Sequence, residues 1–218
     1  MKLLPLLGTE LRRPEDYANE KLEEFKKLFG TSPNQVHDAR VELRKYAVVV
    51  EALYPLHMDF DLLDNSRGIL KLLGKVRDYD VHGCPRVDRE EVLRRVSARL
   101  PRLRRLPRLY GSRFLVAENL MRIYGDIPFV NDFHGVRKLL RRARFLAESL
   151  GIFNDSLKEL VKTMGNERDR MAQEACQGKI PVLNLDVSRI KEIGRMEVRE
   201  ILLSDHEFRH IKQKLSQF

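Results

Sequence analysis

The chain has 218 residues, 43% of them hydrophobic, which is enough to bury a full core without requiring more than one domain. With 41 Lys and Arg against 32 Asp and Glu, its net charge of +9 favours an anionic partner, whether nucleic acid, a membrane surface or another polyanion, without choosing among them. Cys84 and Cys176 are too few for a disulfide framework and read as ordinary thiols in a reducing interior; residues 3–7 are too short for a signal-peptide core, and the apolar residues 46–56 are interrupted by Glu51 and Pro55, so the expectation is a cytoplasmic protein that spans no membrane.

Helical periodicity prevails, and no run alternates with a period of two. The pattern predicts a first helix over residues 14–29, with acidic residues early and Lys26 and Lys27 late, as the helix dipole prefers. A second helix, capped by Asn34, runs to about Tyr54, and a third begins near Asp61 or Asn65 and ends at Asp78. Asp88 caps a fourth, Arg-rich helix that Pro101 and Pro107 break. Helices near 109–124, 131–150 and 154–177 follow, the last open to interruption at Gly165. Residues 176–186, around Pro181, fit a strand, a loop or partial disorder equally, and helices over 188–203 and 205–215 finish the chain. The expected fold class is all-α, with two pseudo-symmetric units of about four helices each inside a single domain, divided as 12–107 and 108–218.

The repeat is legible in the side chains. His37, Arg40 and Arg44 stand at i, i+3 and i+7, and His134, Arg137 and Arg141 repeat that spacing. Each trio covers a stripe roughly 60° wide on its helix. Lys45 is in register with Arg142, and both stripes are introduced by a Gly-x-x-Pro turn, from Gly30 to Pro33 and from Gly125 to Pro128. Downstream, Arg67, Lys71, Gly74, Arg77 and Asp78 correspond to Lys158, Lys162, Gly165, Arg168 and Asp169, all at an offset of 91 residues. These correspondences read as an internal duplication whose period is too long for a solenoid.

On the second helix Val36, Ala39, Leu43, Ala47 and Val50 share one side, which turns the His-Arg-Arg stripe toward a groove or solvent. Arg suits phosphate because its planar fork binds two oxygens at once, while Lys adds an adaptable point charge. A charge-assisted hydrogen bond contributes about 1.5–3 kcal/mol, against about 0–1 kcal/mol for an exposed ion pair, so converging cations matter where scattered ones do not. A single such stripe is ordinarily a solvated surface; its duplication with matching flanks argues for function. Asp78, Asp169 and Asp80 suit orienting neighbouring arginines better than holding a ligand. A histidine beside phosphate has its charged form favoured, so binding should strengthen as pH falls through the histidine range.

The blocks Val36-His37-Asp38-Ala39-Arg40-Val41-Glu42-Leu43-Arg44-Lys45 and Leu73-Gly74-Lys75-Val76-Arg77-Asp78-Tyr79-Asp80-Val81 resemble the signature of CHAD domains, the conserved-histidine α-helical domains. Residues Phe133-His134-Gly135-Val136-Arg137-Lys138 through Arg144-Phe145 resemble the second-half counterpart, so the likeness covers nearly the whole chain. It implies two four-helix bundles about a pseudo-twofold, with a central basic cavity that binds inorganic polyphosphate. Carried over residue by residue, it places His37, Arg40, Arg44, Lys45, His134, Arg137, Lys138, Arg141 and Arg142 in the anion site, adjoined by Arg67, Lys71, Lys158 and Lys162, with Arg77 and Arg168 as further members. CHAD domains are often joined to a triphosphate-tunnel domain, and this chain resembles the stand-alone form, for which association with polyphosphate granules is expected. The second half departs from the pattern where, after Arg168 and Asp169, Arg170 and Met171 replace the run ending in Asp80 and Val81.

Weaker signals remain. Residues 94–113 hold eight Arg and no acid, and read as an RNA-contacting arm, an added polyphosphate contact or a solvated Arg face. Against nucleic acid as the main ligand, there is no Trp and no aromatic platform interleaved with the stripes, and Phe133 and Phe145 read as packing. His206 and His210, spaced i, i+4, lack a third ligand cluster; His57, His82 and Cys84 are equally thin as a metal set. No Walker A loop, nucleophile elbow or paired-His zinc helix is present. The expected function is non-catalytic binding of inorganic polyphosphate, with phosphate or sulfate able to occupy the same site and no cofactor or metal. RNA- or ribosome-associated binding is the alternative, and an enzyme acting on polyphosphate comes third for want of a nucleophile, base or metal set.

Overall fold

The computed structural model describes residues 12–204. They form α1 (Pro14–Leu28), α2 (Pro33–Ala52), a single turn α3 (Tyr54–His57), α4 (Phe60–His82), α5 (Arg89–Ser97), α6 (Ser112–Asp126), α7 (Phe133–Ser149), α8 (Asp155–Cys176) and α9 (Val187–Ser204). Short 3-10 turns occupy Leu100–Arg102 and Ile127–Phe129. Among the described residues there is no strand, and no helix is long and apolar enough to cross a membrane. The helix expected over 205–215 and the His206 and His210 pair lie outside the described residues.

Local side-chain chemistry decides where the helices start. Ser32 caps α2 in place of Asn34: its Oγ accepts from the Gln35 amide while the Gln35 side chain accepts from the Ser32 amide, a reciprocal capping box that leaves Asn34 inside the first turn. α4 begins earlier than its periodicity suggests because Asp59 accepts from the Leu62 amide. It also runs past Asp78 to His82, where Gly83 adopts a left-handed φ of 73° that ends the helix. Asp88, Asp132 and Asn154 cap α5, α7 and α8 in the same manner. α8 continues through Gly165 unbroken, since one helical glycine costs only about 1 kcal/mol. Residues 177–186 form an irregular loop.

α1 packs on α2, α2 on α4 and α4 on α5; α6 packs on α7, α7 on α8, and α9 lies against α6, α7 and α8. Between these sets, α2 meets α7, α4 meets α8, and α1 meets α6 and α7, so one continuous apolar core runs through the molecule. Gly194 brings α9 close to α7, because a Cβ there would stand 2.6 Å from the methyl carbons of Leu140.

The two halves close differently. α9 has 18 residues and packs on three helices, whereas α5 has nine and packs chiefly on α4. Pro101 and Pro107 prevent a longer helix there. The chain instead runs as an extended strap over residues 103–109, with Leu103, Leu106 and Leu109 buried. The fourth helix of the first half is thus cut short, as the prolines predict, and a strap finishes that half where a long helix finishes the second.

A correction concerns the cysteines. Cys84 and Cys176 are joined in a disulfide, their Cα atoms 6.0 Å apart. Cys84 lies just beyond the end of α4 and Cys176 is the last residue of α8, so the packing of α4 on α8 brings together two positions 92 residues apart. The bond removes the free-thiol argument for a reducing interior. Closing so long a loop restricts the unfolded chain, and reduction or Cys84→Ser is expected to lower stability by up to about 4 kcal/mol. Thermal unfolding with and without reductant measures this, and coincident melting curves would show the bond to be dispensable.

Candidate anion-binding cavity

A cavity of about 430 Å³ lies among α2, α4, α7 and α8. α2 contributes His37, Arg40, Val41, Arg44 and Lys45, and α7 contributes His134, Arg137, Lys138, Arg141, Arg144 and Phe145. Arg77 comes from α4; Val161, Gly165, Arg168 and Asp169 come from α8. The stripes face inward because the opposite sides of their helices are buried: Val36, Ala39, Leu43 and Val50 on α2, and Val136, Leu140 and Ala143 on α7. His134 falls in the first turn of α7, where the unpaired amides of the helix end add to the positive field.

Four of these cations have no acidic partner. Among the described residues, Arg40, Arg44, Arg137 and Arg141 make no ion pair, and the buried Nε groups of Arg40 and Arg137 have no hydrogen-bond acceptor. Burial drives the Arg44 guanidinium well below its ordinary pKa, helped by Arg40, Arg141, Arg137 and Arg77. Arg141 is pushed down to about 10 by burial and then by Arg137, Arg40 and Arg168. Arg40 is likewise pushed down to about 10 by burial and by Arg77, Arg168 and Arg137, with Asp78 opposing. A guanidinium keeps its proton at any ordinary pH, so these depressions express the cost of confining like charges rather than a titration. An unmet buried donor costs about 1–3 kcal/mol, and an anion that accepts from it removes that cost.

Beside the four lies a reciprocal clasp. Arg77 of α4 donates to Asp169 of α8 through Nη1 at 3.2 Å and Nη2 at 2.5 Å. Arg168 donates to Asp78 at 2.9 Å and to its neighbour Asp169 at 2.8 Å. The same Arg-Asp dipeptide on each helix thus grips its counterpart on the other. Burial would raise the Asp169 carboxyl, but hydrogen bonds from Arg77 and Arg168 hold it below the usual value; the Arg168 guanidinium is raised by its two aspartates in spite of burial. The two glycines at corresponding positions serve differently. A Cβ on Gly74 would stand 3.3 Å from Arg40 Nη2, so Gly74 seats that guanidinium, whereas nothing lies within 4 Å of the corresponding point at Gly165, which lines open cavity.

A crystal structure of the CHAD domain from the plant Ricinus communis matches this arrangement of helices with a TM-score of 0.51, at 13% identity, covering 100% of this chain and 96% of that one. The chain has a CHAD-like fold. No family model matches the sequence, and no curated protein matches it.

Within the CHAD-like fold, ten of the residues picked out in the sequence line the cavity: His37, Arg40, Arg44, Lys45, Arg77, His134, Arg137, Lys138, Arg141 and Arg168. Lys45 does so while paired with Glu42 at 2.7 Å. The other five stand outside the lining. Arg67 and Arg142 converge on Glu51, at 2.7 and 3.2 Å, and Arg142 faces a separate cleft. Lys162 pairs with Glu159 at 3.3 Å and is exposed, because Val161, about 100° away on the helix, takes the inward position. Lys71 is exposed at the middle of α4, six residues before Arg77 and so turned about 120° away from it on the helix. Lys158 lines an adjoining cleft of about 260 Å³ that shares Lys45 and Arg144 with the cavity. Sequence reasoning missed Arg144, which sits against Phe145 and donates to Glu148 at 2.7 Å. It also missed the stripes' terminators, Glu51 and Glu148, each seven residues beyond the last stripe arginine and therefore on the same face. That spacing was a usable signal. His57, His82 and Cys84 form no metal set, Cys84 being disulfide-bonded, and among the described residues no cluster of three metal-ligating side chains occurs.

Asp169 is the one carboxylate in the lining, and Asp169→Asn would strip Arg77 and Arg168 of their shared countercharge. The expected result is a loss of about 1–3 kcal/mol in the unliganded protein together with a larger stabilisation by sulfate than the parent chain shows. Melting temperatures over a sulfate titration test both; unchanged values in each condition would mean the clasp is energetically idle.

Proposed function

We propose that this CHAD-like protein binds inorganic polyphosphate in the cavity and does not transform it. The observation that carries the reading is the convergence of Arg40, Arg44, Arg137 and Arg141, unpaired, on one space. A single phosphate, with a charge of about −2, does not balance four guanidinium groups, whereas a chain charged on every unit does. The shared lining by Lys45 and Arg144 extends the basic path toward Lys158, which suits an extended polymer over a compact ion. The CHAD resemblance of the two sequence blocks implies the same ligand. Phosphate or sulfate is the minimal anion that would occupy the site, and polyphosphate granules are where such a protein would be found.

The make-up of the lining supports binding without turnover. Phosphoryl transfer needs a group that positions or activates a nucleophile; Asp169, the one lining carboxylate among the described residues, is committed to Arg77 and Arg168, and we assign the lining imidazoles of His37 and His134 to holding phosphate oxygens. Incubation with polyphosphate and a divalent metal is expected to release no orthophosphate.

Arg40→Ala combined with Arg137→Ala removes two unpaired donors from opposite walls and is expected to weaken polyphosphate binding at least about a hundred-fold with helicity retained. Arg67→Ala combined with Lys162→Ala, outside the cavity, should leave affinity almost unchanged. Titration calorimetry with long-chain polyphosphate compares the two pairs; equal losses would place the site elsewhere.

Affinity should also depend on pH. Burial, then Lys138, Arg137 and Arg141, lower the His134 pKa below its ordinary 6.5, with Asp132 opposing. A bound phosphate chain reverses that balance and raises the pKa, so the complex takes up a proton that the free protein lacks. Binding therefore tightens as pH falls from above the bound-state pKa toward the lowered pKa of the free protein. Affinities measured near pH 8 and near pH 6 should show this, with the difference reduced by His134→Ala; a flat profile would remove His134 from the site.

A further inference from the structure

From Val92 to Ala117 the chain contains eight arginines and no acidic residue. Unlike the cavity arginines, those of the strap are set out along a line. Leu103, Leu106 and Leu109 are buried at a spacing of three, and Leu103 has φ −79° and ψ 122°. These are features of a polyproline-type segment with three residues per turn and a rise of about 3.1 Å per residue. The same period places Arg105 and Arg108 on one outward side, about 9 Å apart, with Arg102 three residues earlier at the end of the 3-10 turn, and all three are exposed.

The strap is held by its backbone, which leaves the row of side chains free. Asn19 brackets Leu106, its Nδ2 donating to the Leu106 carbonyl at 2.9 Å and its Oδ1 accepting from the Leu106 amide at 2.8 Å. Glu15 accepts from the Leu109 amide at 3.1 Å, Arg13 donates to the Leu109 carbonyl at 3.0 Å, and the Tyr46 hydroxyl donates to the Arg104 carbonyl at 2.7 Å. Arg104 is tied to Asp59. Among the described residues, Arg102, Arg105 and Arg108 make no ion pair or side-chain hydrogen bond. A backbone already fixed adds no ordering cost of its own when the row meets a polyanion, so only the side chains lose freedom.

Two exposed aromatic rings follow the arginines in the chain. Tyr110, just after the strap, is 89% exposed, and Phe114, in the first turn of α6, is 59% exposed. A bare phosphate chain offers these rings nothing, whereas unpaired bases stack on them. A duplex hides its base faces and would meet the arginines alone. The surface is also distinct from the cavity: Tyr46, which holds the strap, follows Arg44 by two residues and so points about 200° away from it on α2.

We infer that the strap and the start of α6 form a binding surface for single-stranded nucleic acid, in which Arg102, Arg105 and Arg108 hold phosphates and Tyr110 and Phe114 stack with bases. The ligand lies outside the polyphosphate cavity and is recognised by chemistry the cavity lacks.

Fluorescence anisotropy with a labelled uridine-rich single-stranded RNA tests this on the full chain. Tyr110→Ala with Phe114→Ala should weaken binding at least about five-fold. Arg105→Ala with Arg108→Ala should reduce the slope of log affinity against log salt by about 1.4. Arg40→Ala with Arg137→Ala should leave RNA affinity within about two-fold, since the walls of the cavity are not involved. All four strap side chains are exposed, and unchanged melting temperatures confirm folding. The inference is overturned if removing the rings costs nothing, if duplex RNA or polyphosphate displaces the probe as well as single-stranded RNA at matched phosphate, or if the cavity pair alone abolishes RNA binding.

Discussion

Four guanidinium groups gathered without an acidic partner repel one another, and the surrounding structure is what keeps Arg40, Arg44, Arg137 and Arg141 together. α2 and α7 hold their stripes inward because their other sides are sealed in the core. α4 and α8 bring carboxylates close by, but these are engaged elsewhere: Asp78 and Asp169 are bound to Arg168 and Arg77. The clasp therefore stabilises the junction of the two helices without neutralising the cavity. The Cys84 to Cys176 bond ties the ends of the same two helices. Removing charge repulsion by placing an acid among the four would stabilise the free protein, but it would also occupy the place an anion needs.

The halves correspond in helix order and in their Arg-Asp dipeptides, yet they are finished by different means. The second half has α9, a helix with an apolar face and a glycine at its crossing with Leu140. The first has a proline-broken strap whose leucines fill the core at every third position. That substitution has a physical consequence for charge. A helix would have spread its arginines around a cylinder, whereas a three-residue period separates the apolar row of Leu103, Leu106 and Leu109 from the exposed side that carries Arg105 and Arg108. The buried Glu15 and Asn19 follow from the same choice, since an extended backbone leaves amides and carbonyls that α1 must satisfy.

Much of the cavity was legible because its stripes obey local geometry. The i, i+3, i+7 spacing of His37, Arg40 and Arg44, and of their counterparts in α7, places each trio on one face in any helix, and the apolar residues between them say which face is buried. Arg77 and Arg168 were legible through their shared offset. Arg67, Lys71, Lys158 and Lys162 carried the same offset and yet stand outside: the cavity reaches only part of each helix, and where it does pass Lys162 the neighbouring Val161 takes the inward position. Glu51 could have warned of this, lying on the same stripe as Arg44, but its capture of Arg67 and Arg142 depends on how α4 and α7 pass beside α2.

The sequence by itself determined the helices, the direction each basic face takes from its own apolar side, and the overall excess of positive charge. These are consequences of residue spacing within about two turns, where backbone geometry leaves little freedom. Tertiary structure alone decided which cations converge, that Cys84 meets Cys176 across 92 residues, and that residues 103–109 form a strap in place of a helix sealing the first half. Each of those outcomes depends on the distance between elements far apart in the chain, and that distance is set by packing rather than by any periodicity.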